Sequence, residues 1–155
     1  MCQGYFKENR PKVDAILYSQ NLKKPKLINF LVDTGADITT ITLADALKLG
    51  IDVHRVIAPT RRMDVGGVGG PTDVYPIEGT IGLTFLDYSS ETDKISFHIE
   101  FLERINLGPR LSMSILGRDL LDRFDIEISR VSGRINLKRN DFGGGGHICF
   151  SRPIR

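Results

Sequence analysis

The residues best placed to do chemistry are Asp33, Thr34 and Gly35, which follow LINFLV at 27–32, a mostly apolar run of strand length. An acidic side chain at the end of such a run is costly to keep without partners. A carboxyl held there is a candidate for proton transfer. Asp and Gly also favour turns, so the tripeptide alone reads first as a turn. Two further stretches bear on the choice. About thirty residues later comes Gly66-Gly67-Val68-Gly69-Gly70, and about eighty residues later comes Ser114-Ile115-Leu116-Gly117, an apolar pair and a glycine leading into a short helical stretch.

The elements that must position these residues are mainly strands. Segments 13–18, 27–32 and 112–116 are β-rich, and 95–102 alternates Ile95, Phe97, Ile99 and Phe101 against Ser96, His98 and Glu100. That alternation predicts a half-buried strand with the aromatic and aliphatic side chains inward. Residues 61–65 and 74–86 flank the first glycine cluster and predict a hairpin with a mobile tip. Residues 125–129 and 134–138 predict a second hairpin around Val131-Ser132-Gly133. Only two short helices are signalled, at 42–50 and 119–124. Thr42 is placed to cap the first, with Leu43, Ala46 and Leu47 on one face and Gly50 as its stop. The pattern is mainly β, sandwich- or barrel-like.

The chain has 155 residues, 41% of them hydrophobic, which is one domain's length with enough apolar material for its own core. With 21 Lys and Arg against 19 Asp and Glu, the net charge of +2 argues against binding nucleic acid by phosphate neutralisation. No apolar run approaches a membrane span, and residues 1–10 lack a signal peptide's apolar region, so a cytoplasmic location is expected. Cys2 and Cys149 lie near opposite ends, and His54, His98 and His147 are scattered, so neither a disulfide framework nor a metal site is expected. Of the 16 glycines, four lie in 66–70 and four in 143–146. The second group opens a tail, read either as disordered or as a linker for a final strand.

Taken in series, these segments resemble the retropepsin-type aspartic proteases. Residues 31–37 (LVDTGAD) resemble that family's active-site signature, 63–70 (MDVGGVGG) its flap, and 115–121 (ILGRDLL) the segment before and within its C-terminal helix. The resemblance implies a closed β-barrel-like fold with a flap hairpin and one or two short helices. It divides the chain into an N-terminal extension (1–12), a protease domain (13–139) and a Gly-rich tail (140–155). It implies an endopeptidase needing no cofactor and no metal. Since the chain supplies one Asp-Thr-Gly, two copies must pair to bring two Asp33 carboxyls together.

By the same resemblance Asp33, Thr34 and Gly35 are the catalytic loop, with Thr34 bonding across the dimer axis and Gly35 admitting the substrate backbone. Asp37, Gly66, Gly67, Val68, Gly69, Val32 and Leu116 are expected to bind substrate. Gly117 and Arg118 are structural supports, Arg118 through an ion pair to Asp37. The expected partners are a second copy and a peptide, with no nucleic acid or membrane. Two departures stand out. Pro71 and Thr72 occupy the place of a retroviral flap aromatic, and the hairpin at 125–138 is more similar to cellular and prokaryotic members.

Overall fold

The β-rich runs become strands in the computed structural model, which describes residues 2–20, 22, 24–66, 70–89, 94–140 and 147–148. In chain order these are β1 (Cys2–Lys7), β2 (Arg10–Tyr18), β3 (Lys26–Val32) and β4 (Thr40–Thr42), followed by helices α1 (Leu43–Lys48) and α2 (Val53–Val56) and a single 3-10 turn (Pro59–Arg61). Then come β5 (Met63–Val65), β6 (Thr72–Ser89), β7 (Lys94–Gly108), β8 (Ser114–Leu116), α3 (Arg118–Leu121), β9 (Phe124–Ser129), β10 (Arg134–Arg139) and β11 (His147–Ile148). The structure thus adds α2 and the 3-10 turn to the two helices signalled by sequence. No helix among the described residues is long and apolar enough to cross a membrane.

The strands run in the order β5-β6-β7-β4-β8-β3-β2-β1-β10-β9, and β2 also pairs with β6. That extra pairing, with Ala15 opposite Phe85 and Leu17 opposite Leu83, closes β2-β3-β8-β4-β7-β6 into a ring. Its interior holds Ala15, Leu17, Ile28, Phe30, Leu83, Phe85, Leu107 and Leu116, each at most 1% exposed. Their shared inward face follows from the two-residue period of a strand. β3, although its sequence is a mostly apolar run, buries only Ile28, Phe30 and Val32. Leu27 is exposed, and Asn29 donates to Asp14 (2.7 Å) and to the Tyr5 hydroxyl.

The N-terminal extension contributes β1. It lies between β2 and β10, with Cys2 opposite Leu137 and buried. Two strands offering free edges on either side are what order it, a cue outside the segment itself. Helix α1 starts as expected, with the Thr42 hydroxyl accepting from Asp45 N–H at 3.1 Å, and Gly50 follows it at a φ of 73°. Its buried face is Ala46, however, and Leu47 points out at 57% exposure. The two hairpins pair as expected, Met63–Val65 with Thr72–Val74 and Phe124–Ser129 with Arg134–Arg139. The tail reading falls almost wholly outside the described residues. His147 and Ile148 pair with His98 and Phe97 of β7.

Strand β7 faces opposite to the expectation. His98 and Glu100 are buried at 3% and 2%, while Phe101 is 54% exposed. The inward face is polar because its charges are matched. Glu100 receives His98 Nε2 at 2.6 Å, Arg123 Nη1 at 3.1 Å and Arg139 Nη1. Arg123 also donates to the Phe101 carbonyl at 2.8 Å, and the His98 ring stands edge-on to Phe124. This cluster ties β7 to the turn after α3 and to β10.

Burial by itself would raise the Glu100 pKa, but the His98 and Arg123 hydrogen bonds and the Arg139 charge hold it below the usual carboxylate range. Asp45 is likewise pushed up by burial and pulled below its usual value by Ser114, Lys48 and Thr42. A depressed folded-state pKa stabilises the fold above the unfolded value, and that contribution is lost as pH falls through the folded value. Urea midpoints are therefore expected to be flat above about pH 5 and to fall below about pH 4. A midpoint that stays constant down to pH 3 would contradict this.

Candidate active site

The catalytic-type loop, residues 33–39, begins where β3 ends and returns in β4. β8 runs between those two strands, parallel to β3 (Val32 opposite Leu116) and antiparallel to β4 (Thr40 opposite Ile115). Asp33 N–H donates to the Leu116 carbonyl at 3.2 Å, which fixes the start of the loop on the end of β8. The Asp33 carboxylate accepts from Gly35 N–H at 2.9 Å, and Ala36 N–H bonds back to the Asp33 carbonyl. Asp33-Thr34-Gly35 is thus a side-chain-closed turn, as its composition favours. It still leaves Asp33 only half-buried and Thr34 exposed. A side chain at position 35 would press on that carboxylate, since a Cβ there lies 3.2 Å from Asp33 Oδ1.

The far side of the loop is held by Thr39, which is fully buried. Its N–H donates to both Asp119 carboxylate oxygens (3.0 and 2.9 Å), and its hydroxyl donates to Asp119 Oδ1 (2.6 Å) and accepts from Gly117 N–H (3.1 Å). Its carbonyl accepts from both the backbone and side-chain N–H of Asn106, each at 3.1 Å. Arg118 N–H and Asp119 N–H donate in turn to the Ala36 and Asp37 carbonyls. The start of α3 is therefore laced to the loop through charge-assisted bonds to a carboxylate. Sequence reasoning missed Thr39, Asp119 and Asn106 as supports, because the Thr39–Asp119 contact spans 80 residues and the 115–121 segment, which contains Asp119, pointed only to Gly117 and Arg118.

The ion pair expected between Asp37 and Arg118 has Arg118 Nη1 3.7 Å from Asp37 Oδ1, with Arg118 shared with Asp122 at 3.4 Å. Both partners of the first pair are exposed, so solvent screens it and it adds little to stability. The principal brace is Asp119. Gly117 supports the site through space rather than charge. A Cβ there would lie 2.4 Å from the Ile38 carbonyl carbon, so the loop backbone occupies the room a side chain would need. Gly117→Ala is expected to displace the 33–39 loop and to destabilise by about 1–3 kcal/mol. A denaturant midpoint equal to that of the unaltered chain would contradict it.

Above the loop lies a cleft of about 270 Å³. Asp33, Gly35, Ala36 and Asp37 form its floor, Val65, Gly66, Thr72 and Val74 from the β5–β6 hairpin its roof, and Leu111 and Ile115 one wall. The hairpin expected to act as a flap therefore lines the same cleft as Asp33. Gly67, Val68 and Gly69 lie outside the described residues. Val32 and Leu116, expected to bind substrate, are instead 4% and 0% exposed and belong to the core. The alternation of β8 turns Ile115, not Leu116, toward the cleft. Among the described residues no cluster of three or more His, Cys, Asp or Glu could hold a metal ion.

The sequence matches the family model for aspartyl proteases over residues 23–82, the span from the approach to Asp33 through the β5–β6 hairpin. The structure is similar to that of a retropepsin-like aspartic protease from Rickettsia conorii, with a TM-score of 0.53 and 22% identity, covering 87% of this chain and 95% of that one. This chain has the retropepsin-like fold. It is also similar to the EIAV protease in complex with the inhibitor HBY-793, with 24% identity, a TM-score of 0.41, and coverage of 76% of this chain and 90% of that one. No curated protein sequence matches the chain. The resemblance to retropepsin-like aspartic proteases thus stands on a family-model match around Asp33 and on the fold.

Proposed function

We propose that this retropepsin-like chain is an aspartic endopeptidase that works as a homodimer, with one Asp33 from each copy. The observation that carries the reading is the half-buried Asp33 carboxyl on the floor of a cleft roofed by a glycine-rich hairpin. Two carboxyls at short range cannot both ionise readily, so they share a proton and titrate as a pair. The ionised member takes a proton from a water, which attacks the peptide carbonyl carbon. The protonated member gives its proton to the carbonyl oxygen. The tetrahedral intermediate then collapses as the leaving nitrogen is protonated, with no covalent enzyme intermediate.

Thr34 is exposed beside Asp33, and in this reading its hydroxyl bonds to the backbone of the second copy and holds the two aspartates in register. Asp37 lines the cleft and meets the substrate backbone near one end. The tip residues Gly66, Gly67, Val68 and Gly69 offer backbone N–H groups to an extended peptide, directly or through a water. Val65 and Ile115 supply apolar contact in place of Val32 and Leu116. Residues 13–139 form the catalytic unit, with β1 stitched to it. A cytoplasmic location fits the same reading.

The test is peptide cleavage across pH 3 to 7 by the purified chain, with and without pepstatin. Cleavage that pepstatin abolishes supports the proposal. A purified dimer that cleaves nothing across that range refutes it in favour of a retropepsin-like fold used for dimerisation or peptide binding.

A further inference from the structure

The β5–β6 hairpin carries two acidic residues in direct opposition. Asp64 pairs with Asp73 in the antiparallel register, between the pairs Met63–Val74 and Val65–Thr72. Because side chains alternate, Val65, Thr72 and Val74 face the cleft, and Asp64 and Asp73 share the outer face. Like charges directly opposite one another destabilise a strand pair. Arg62, two residues before Asp64, lies on that same outer face. Its Nε is 3.5 Å from Asp64 Oδ1 and 3.8 Å from Asp73 Oδ1. One cation therefore bridges both strands at the base of the hairpin, on the side away from the substrate.

We infer that Arg62 is a positioning residue that clasps the two strands of the hairpin over the cleft by offsetting the repulsion between Asp64 and Asp73. The consequence for catalysis rests on the proteolytic reading; the clasp itself does not. Loss of Arg62 leaves two carboxylates facing each other and splays the strands that carry Val65 and Thr72. Loss of one carboxylate as well removes the repulsion and restores the pairing. Arg62 is not among the residues that line the cleft, so its effect on a bound peptide is on closure and appears in KM ahead of kcat.

The experiment is amide hydrogen exchange on the full chain for Arg62→Met and for Arg62→Met combined with Asp73→Asn, with peptide-cleavage kinetics on the same samples. Arg62→Met should speed exchange at residues 63–65 and 72–74 by roughly 2- to 5-fold and leave the β9–β10 hairpin unchanged. The double variant should return it to the starting rate, with KM raised in the first and recovered in the second. Unchanged exchange in Arg62→Met, acceleration throughout the chain, or no recovery in the double variant would overturn the clasp. If the exchange pattern appears but no form cleaves peptide, the clasp stands and the proteolytic reading fails.

Discussion

Asp33→Asn is expected to remove peptide cleavage, by about 10³-fold or more, while leaving the fold and its denaturant midpoint nearly unchanged. Among the described residues the Asp33 carboxyl accepts one hydrogen bond, from Gly35 N–H to Oδ1, a contact that the Asn side-chain oxygen reproduces. The supports of the loop lie elsewhere, in Thr39, Asp119 and the backbone contacts of Gly117 and Arg118. What the substitution removes is the ability to take a proton from water and to share one with a second carboxyl. Cleavage that survives in Asp33→Asn would mean that another group does the chemistry.

The second large effect lies outside the cleft. Glu100→Ala should destabilise the chain by about 3–5 kcal/mol, because it leaves the largely buried Arg139 and the half-buried Arg123 without their counter-charge. Glu100 is 2% exposed, and Arg139 beside it only 12%. For a domain of this size that is a fall of roughly 10 °C in Tm. Glu100→Gln keeps an acceptor for the arginines and should fall between the two. A thermal scan that places Glu100→Ala within about 1 °C of the unaltered chain would show that the cluster contributes nothing net, as some buried ion pairs do. The cluster also joins the turn after α3 to β7 and β10, so its loss is expected to loosen the end of the helix that braces the 33–39 loop.

What was legible in the sequence was local. The Asp33-Thr34-Gly35 turn, the arms of both hairpins and the Thr42 cap each depend on residues within a few positions of one another, and each is where the residue types place it. The rest depended on distant partners. Strand β7 presented its apolar residues in a clean alternation, yet it buries the opposite face, because Arg123 and Arg139 arrive from later elements to match Glu100. The alternation gave the period correctly and the direction wrongly. Thr39 and Asp119 meet only because β8 passes between β3 and β4 and delivers α3 to the loop. The same passage decides that Ile115 lines the cleft and Leu116 does not, a one-residue choice that a continuous apolar run leaves open.

The central claim is that the active site is built from two copies of one chain, and subunit mixing tests it most directly. Unaltered chain and Asp33→Asn chain are unfolded together in equal amounts, refolded, and assayed at constant total concentration. If each site needs an Asp33 from both copies, activity falls to about one quarter of that of the unaltered chain, following the square of its fraction. An activity of about one half, following the fraction itself, would mean that each chain acts alone and would contradict the account.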